Sequence, residues 1–140
     1  MPEESTTPDL VELTHRTLET ANRHDLGALM GFYAAEAVWD LSDVGIGTFE
    51  GVAAIESFIG DWWGTWGDHV MQAEEIVDLG HGVVFLALRE DGRLAGSDAH
   101  VEHRRGRVYL WVNAMIERVT VYLDIDQARV AGERQAQERG

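Results

Sequence analysis

Residues 51–66, GVAAIESFIGDWWGTW, contain the clearest periodic signal in the chain. Their large apolar side chains recur at intervals of three and four residues, at Ile55, Phe58, Ile59, Trp62, Trp63 and Trp66. This spacing places apolar side chains along one side of a helix over three turns. The stretch therefore predicts a helix with a broad buried face, which a sheet or other helices must cover.

The chain changes character after Gly67. Four segments rich in β-branched and aromatic residues follow, at 68–79, 82–90, 97–112 and 115–123. Turn signals separate them, at 80–82, 91–92, 95–96 and 113–114. Because consecutive strands joined by short turns usually pair with each other, we predict a four-stranded antiparallel meander.

Two helices are predicted on the N-terminal side of this region. For the first, Thr7 is the expected cap and Pro8 the first helical residue. The second begins after Asp25 as its cap and carries an apolar face that extends to Tyr33. A short strand and a loop with three glycines then lead to the third helix, at 37–41 and 42–51.

The two ends of the chain are polar. Residues 1–7 are predicted to be a disordered leader, and residues 8–140 a single domain, which is a normal size for one hydrophobic core. Residues 124–139 predict a polar C-terminal helix, interpreted as a solvated cap, with a lid or a dimer contact as the functional alternatives.

The composition excludes several classes of function. A net charge of −14 repels phosphate groups, so neither nucleic acid nor an anionic membrane surface is expected as a partner. The chain has no cysteine and no lysine, which excludes thiolate and Schiff-base chemistry. His100 and His103 fall on opposite faces of a predicted strand, so we predict no metal site and no cofactor. Without a long apolar run or a signal-peptide pattern, a cytoplasmic location is the default expectation.

The order of these elements resembles a known family. The stretches that carry the resemblance are ANRHDLGALMGFYAAEAVWDL (21–41), FEGVAAIESFIGDWW (49–63), VDLGHGVVF (77–85) and IERVTVYLDIDQA (116–128). Together they resemble the SnoaL-like, or ketosteroid-isomerase-like, branch of the NTF2-like superfamily. The resemblance implies an α+β, cone-shaped (cystatin-like) fold, in which a curved, mostly antiparallel sheet wraps around three helices and encloses a pocket. It also implies a homodimer that pairs through the outer sheet face, at Val108, Leu110 and Val112.

The orientation of the last hairpin decides which side chains enter the pocket. A turn at Asn113-Ala114 can form a two-residue loop or a three-residue bulged loop, and the two choices reverse the inward-facing parity. The resemblance favours the bulged loop. In that register the inward-facing residues are His103, Arg105, Arg107, Tyr109, Trp111, Val119, Val121 and Leu123.

The positions that carry catalysis in relatives hold different residues here. The resemblance places the tyrosine of isomerase-like members at Thr17, their general base at Leu41 and their hydrogen-bonding acid at Arg107. In the epoxide-hydrolase branch, the aspartate falls at Val121 and the first-strand tyrosine at Trp39. Since Leu41 cannot accept a proton, proton abstraction by the usual isomerase base is not expected.

Two functional hypotheses follow. The first is acid–base chemistry of isomerase, cyclase or dehydratase type on an aromatic or polycyclic oxygenated compound, with candidate catalytic residues His103, Asp43, Asp40 and Arg107. The candidate residues for a small hydrophobic or aromatic ligand are Tyr33, Trp39, Leu41, Trp62, Trp66, Arg105, Tyr109, Trp111, Val119 and Val121. The alternative is a non-catalytic ligand-binding or dimerisation module. Under more ordinary interpretations, Asp40 and Asp43 cap turns, and the arginines pair with Asp43, Glu102 or Glu117.

Overall fold

The computed structural model describes residues 9–140 and contains four helices and six strands. The predicted leader and the positions predicted for the first helix cap, Thr7 and Pro8, lie outside the described residues. The elements are α1 (Leu10–Asn22), α2 (Leu26–Met30), β1 (Tyr33–Leu41), β2 (Gly47–Glu50), α3 (Val52–Gly64), β3 (Trp66–Gly80), β4 (Val83–Leu94), β5 (His100–Val112), β6 (Met115–Tyr122) and α4 (Ile125–Arg139). The side chain of Asp9 caps α1 by accepting from the Glu12 N–H at 3.1 Å, so the cap lies two residues beyond Thr7.

The six strands form one open, curved sheet in the order β2-β1-β6-β5-β4-β3. The pairing of β1 with β6 is parallel, and all the other pairings are antiparallel. Strands β3 to β6 form the predicted meander. The α+β class and the mostly antiparallel curved sheet are confirmed.

The turn predicted at 91–92 is wrong, because β4 continues through these residues to Leu94. Three other boundaries also differ from the prediction. The segment predicted as a loop contains β2, which pairs with the end of β1. Helix α2 ends at Met30, and Tyr33 begins β1, where it pairs with Ile116 of β6. Helix α3 ends at Gly64, and Trp66 begins β3, where it pairs with Leu94. In all three places, backbone pairing with a distant strand outweighs the local helical or loop pattern.

The core has two parts, one on each face of the sheet. Helices α1, α2 and α3 cover the concave face, where Ile55, Ile59, Leu86 and Tyr109 are almost fully buried. Helix α4 covers the convex face with its small residues, and Ala128 packs there among apolar strand residues. A methyl group on Gly106 would lie 2.4 Å from the Cβ of Ala128, so this strand glycine lets α4 approach closely.

This packing corrects the interpretation of α4 as a solvated cap. Ala128, Gly132 and Ala136 are buried against the sheet. A methyl group on Gly132 would lie 3.5 Å from Val108, so α4 reaches part of the face on which a dimer contact was predicted. The apolar area there is buried within one chain, and the homodimer stays a prediction.

The inward-facing side chains of the last hairpin are those predicted, but the turn and the position of the bulge are different. Asn113 and Ala114 both have positive φ, at 53° and 63°, and form a two-residue turn that pairs Val112 with Met115. Positive φ at both central residues is the requirement of a type I′ hairpin turn. The extra residue is Glu117, because Trp111 pairs with Ile116 while Leu110 pairs with Arg118. A bulge inside the strand thus replaces the predicted bulged loop.

Candidate functional site

A cavity of about 160 Å³ lies between the concave face of the sheet and helices α1 to α3. Nine of the side chains predicted for the site line it: Tyr33, Trp39, Leu41, Trp62, His103, Arg105, Arg107, Tyr109 and Val121. Pockets that bury a drug-sized ligand usually measure roughly 300–1,000 Å³. The cavity therefore suits a compact ligand of one or two rings.

Five predicted residues do not line the cavity. Trp111 and Val119 are buried in the core beyond it, and the indole nitrogen of Trp111 donates to Thr14 Oγ1 at 3.1 Å. Trp66 lies behind the cavity wall, where its ring stacks on His69 at 4.6 Å between centroids. The other two are Asp40 and Asp43.

Asp40 and Asp43 bind groups outside the cavity. Asp40 accepts from the Ser42 hydroxyl at 2.6 Å and forms an ion pair with Arg118 at 2.8 Å. The Ser42 hydroxyl is the largest of the influences that hold the pKa of Asp40 below its usual value. Asp43 accepts from the Leu123 backbone N–H at 3.1 Å. The structure therefore corrects the predicted placement of both carboxylates, because it brings neither of them to the cavity.

His103 is hydrogen-bonded to a buried glutamate that the sequence analysis missed. Its Nε2 lies 2.6 Å from Glu90 Oε1, and the Nε2 of His69 lies 2.6 Å from Glu90 Oε2. The exposed fraction of the side chain is 23% for His103, 6% for Glu90 and 1% for His69. The three residues form a hydrogen-bonded row, here called the His-Glu-His cluster, in which only His103 is substantially accessible.

Glu90 is held as a carboxylate despite its burial. Burial alone would raise the pKa of its side chain, but hydrogen bonds from His103 and His69 and the nearby charge of Arg107 outweigh that effect. The pKa of Glu90 therefore lies well below its usual range. The indole nitrogen of Trp62 adds another donor, at 3.2 Å from Glu90 Oε2.

Arg107 occupies the cavity without a counter-ion. Its guanidinium contacts the Tyr109 hydroxyl at 3.0 Å and the Met71 sulfur at 3.8 Å, and lies 5.2 Å from the centroid of the Trp39 ring. Within residues 9–140 it forms no ion pair, and its buried Nε has no hydrogen-bond partner. Burial would lower the pKa of Arg107, but Tyr109 and Glu90 raise it on balance, so the cation persists.

Two of the acidic partners considered for the arginines, Glu102 and Asp43, bind other groups. Glu102 pairs with Arg89 at 3.1 Å, and Asp43 accepts from a backbone amide. Arg105 donates to the Arg104 carbonyl at 2.8 Å. Neither Arg105 nor Arg107 therefore forms an ion pair with these two acids.

The wall next to Arg107 is aromatic. The indole nitrogen of Trp39 donates to the Tyr33 hydroxyl at 2.9 Å, which orients both rings. Burial raises the pKa of Tyr33, so this hydroxyl stays protonated at neutral pH. Aromatic faces of this kind bind flat apolar ring systems.

A signal for Glu90 was present in the sequence. Leu86, Leu88 and Glu90 alternate along β4, and in the observed register they pair with Arg107, Arg105 and His103. Paired residues share a face of the sheet, so a register that turns His103 inward must also turn Glu90 inward. Met71 of β3 pairs with Glu90. His69 lies two residues before Met71, so its side chain points to the same face of the sheet.

The described residues contain neither a metal-binding cluster nor a membrane-spanning helix. Within residues 9–140, no group of three or more histidine or acidic side chains is arranged to hold a metal ion. None of the helices in the same range has the length and hydropathy needed to cross a membrane.

Comparison with known proteins identifies relatives of this domain. A family model described as a SnoaL-like domain matches residues 14–121. No curated protein matches the chain.

Solved structures share the fold at low sequence identity. An NTF2-like protein of unknown function from Burkholderia pseudomallei is 15% identical with a TM-score of 0.70, over 83% of this chain and 91% of that chain. A putative polyketide cyclase from Xanthomonas campestris pv. campestris is 22% identical with a TM-score of 0.66, over 83% and 90%. TerC, co-crystallised with polyporic acid, is 12% identical with a TM-score of 0.71, over 88% and 97%. At these identities, the similarity establishes the fold alone.

Proposed function

The chain belongs to the SnoaL-like domain family, and from this premise we propose that its cavity binds a compact aromatic or polycyclic compound through an anionic oxygen. On that ligand the protein performs acid–base chemistry of the isomerase, cyclase or dehydratase type. Arg107 binds the anionic oxygen, the aromatic wall binds the rings, and His103 is the residue available to move a proton.

The observation that carries this proposal is the guanidinium of Arg107, which lies in the cavity and forms no ion pair with any residue from 9 to 140. A cation removed from water is costly unless an opposite charge or several hydrogen bonds compensate it. An arginine fork binds carboxylate and enolate-like oxygens through short, charge-assisted hydrogen bonds. A ligand with such an oxygen would supply the missing counter-charge.

The chemical class of the ligand follows from the other walls. Trp39, Tyr109 and Trp62 present ring surfaces to the cavity, which favours a flat, apolar body. The names of two structural neighbours agree with this class, since one is a putative polyketide cyclase and the other was crystallised with polyporic acid.

A second candidate function is ligand binding without catalysis. It is favoured by Leu41 and Trp39, which line the cavity where the family resemblance places a general base and a tyrosine. Under this alternative, Arg107 and the aromatic wall would act as proposed, and no proton would be transferred.

The experiment measures binding of 2-naphthoate and its uncharged methyl ester by calorimetry. For the wild-type protein, we expect tighter binding of the carboxylate than of the ester. Arg107→Met should weaken 2-naphthoate about 10- to 100-fold, because a hydrogen bond to a charged group is lost, while binding of the ester changes little. Arg104→Met is the matched control, because Arg104 is exposed and pairs with Glu74 outside the cavity. Equal affinity of the wild-type protein for both compounds would contradict the proposal.

The homodimer and the cytoplasmic location predicted from the sequence are also proposals. Light scattering of the purified protein tests the first, and cell fractionation tests the second.

A further inference from the structure

Resting on the proposed function, we infer that the His-Glu-His cluster is the proton-transfer apparatus of the cavity. His103 is its catalytic base and acts through Nδ1. Glu90 and His69 are positioning residues: Glu90 holds the Nε2–H form of His103, and His69 fixes Glu90.

The hydrogen bonds define the tautomer of each imidazole. An ionised carboxylate can only accept, so a histidine nitrogen 2.6 Å from Glu90 must donate. Both His69 and His103 meet the carboxylate through Nε2. In a neutral imidazole the proton is then on Nε2, and Nδ1 keeps its lone pair. The Nδ1 atom of His103 is thus a proton acceptor on a residue that lines the cavity.

Accessibility separates the roles of the two histidines. The side chain of His103 is 23% exposed, whereas that of His69 is 1% exposed and stacks on Trp66. Both histidines line the cavity, but His103 is the more open of the two. His69 and the Trp62 indole both donate to Glu90 Oε2, which leaves Oε1 for His103. The two donors on Oε2 hold the carboxylate in position, so that Oε1 can accept from His103.

Charged and titratable groups surround this cluster from several elements. Arg105 and Arg107 lie on β5 together with His103, and Glu90 faces them from β4. His24, between α1 and α2, stacks on His69 with 6.2 Å between ring centroids. The guanidinium of Arg107 reaches the sulfur of Met71, the residue that pairs with Glu90, so it extends toward the end of the cavity that contains the cluster.

This arrangement supports a balanced proton transfer. Nδ1 of His103 removes a proton from a ligand carbon next to a carbonyl. The electron pair of the broken C–H bond forms a carbon–carbon double bond, and the π pair of the carbonyl moves to its oxygen. The products are an enolate, stabilised by Arg107, and an imidazolium, stabilised by Glu90. In a ligand whose second carbon–carbon double bond extends the enolate into a dienolate, return of the proton from Nδ1 to the far end of the conjugated system completes an isomerisation and restores neutral His103. No further reactant is needed.

The test follows hydrogen–deuterium exchange of 2-tetralone in D₂O by NMR, with binding of 2-naphthoate measured in parallel. Deuterium enters the ligand when the proton on Nδ1 of the partly exposed His103 exchanges with solvent before it returns to carbon. The wild-type protein should accelerate exchange above the buffer rate. His103→Gln should abolish the acceleration, and Glu90→Gln should lower it about 100-fold. His69→Gln should lower it less, about 10-fold, because it acts only through Glu90. Each variant should bind 2-naphthoate within about 3-fold of wild type, because Arg107 is retained.

A neighbouring pair on the same two strands provides a matched control. His100 Nε2 lies 3.3 Å from Asp91 Oδ1, but this pair is at the surface outside the cavity. Asp91→Asn and His100→Gln should leave both exchange and binding unchanged.

A spectroscopic measurement keeps the inference falsifiable if a variant folds poorly. In the wild-type protein, the ¹⁵N shifts should show both His69 and His103 as Nε2–H tautomers. In Glu90→Gln, the amide offers one acceptor and one donor group, so one of the two histidines should change tautomer. An Nδ1–H tautomer at His103 in the wild-type protein would overturn the assignment.

The outcomes separate this inference from the proposed function. Failure of wild-type protein to bind 2-naphthoate contradicts the proposed function itself. Binding without accelerated exchange, or exchange that His103→Gln leaves intact, overturns the proton-transfer inference and supports the binding-only alternative.

Discussion

Strands β4 and β5 present one face to the cavity and the other to α4, and the two faces bury their side chains in different ways. On the convex face, Phe85 and Val108 pack with the alanines of α4 in an apolar layer. On the concave face, Glu90, His103 and Arg107 are held by hydrogen bonds and a cation–π contact. The same two strands thus use one face for stability and the other for chemistry.

The polar groups on the concave face also differ from one another in how completely they are hydrogen-bonded. His69 and His103 each donate to an oxygen of Glu90, whereas the Nε of Arg107 has no hydrogen-bond partner in the described part of the chain. A complete network stabilises a fold, and an incomplete one is retained at a cost in stability. This difference makes Arg107, rather than Glu90, the marker of the ligand position.

The largest effect should come from the convex face. Phe85→Ala removes a fully buried ring beneath α4, and we expect the free energy of unfolding to fall by about 4 kcal/mol. Binding of 2-naphthoate, measured where the variant is still folded, should be unchanged. Denaturant unfolding measures the change in stability, and calorimetry measures the binding of 2-naphthoate. Loss of binding in the folded variant would show that the two faces are coupled.

On the concave face, Glu90→Gln should lower the free energy of unfolding at neutral pH by about 2 kcal/mol, because the buried imidazoles lose the carboxylate that accepts from both. The acid dependence should also change. A carboxyl with a depressed folded-state pKa adds stability above its unfolded-state pKa and loses it as pH falls through the folded-state pKa. Wild-type stability should therefore decline below about pH 4.3, the usual glutamate value, more steeply than that of the variant. Parallel curves from urea unfolding at several pH values would contradict this.

Arg107→Met should affect binding more than stability. Tyr109 and Glu90 stabilise the Arg107 cation on balance, so its removal is expected to lower the free energy of unfolding by about 1 kcal/mol, while it weakens binding of an anionic ligand. Thermal unfolding without ligand measures the first effect. Arg105→Met serves for comparison, because Arg105 donates to a backbone carbonyl and should give a smaller loss. A stabilised Arg107→Met protein would show that the cost of burying this cation outweighs its contacts.

The sequence predicted the concave face better than the convex one. The helical spacing at Ile55 and Ile59 and the alternation along β5 are strong local signals, and both elements are observed. The packing of α4 was missed because its buried face consists of Ala128, Gly132 and Ala136, which carry little hydrophobic signal. Such a face is recognisable only when its partner strand is known to have a glycine at the contact.

Within the site, the errors came from treating each strand separately. Asp40 and Asp43 were chosen for their position near the first strand, but Ser42, Arg118 and a backbone amide bind them. Glu90 was missed because it is the last residue of the strand predicted at 82–90. Its pairing with His103 on the neighbouring strand is what places its side chain in the cavity. The hairpin parity came from the resemblance, since a two-residue turn without the bulge at Glu117 would have given the reverse.

The smallest expected effect concerns the mouth of the cavity. Ile46 and Leu123 line the cavity although they are 48% and 53% exposed, so they mark its opening to solvent. A compact ring bound at Arg107 would not contact them, whereas a ligand with an apolar extension would.

The double substitution Ile46→Ser/Leu123→Ser should therefore weaken 6-butyl-2-naphthoate about 3-fold, as expected for the loss of roughly 30 Å² of buried apolar contact, and leave 2-naphthoate unchanged. Val70→Ser is the matched control, because Val70 is also 48% exposed but does not line the cavity. Calorimetry on the two ligands gives the comparison directly. Equal weakening of both ligands would contradict this prediction. It would show that Ile46 and Leu123 also shape the part of the cavity that holds the compact ring.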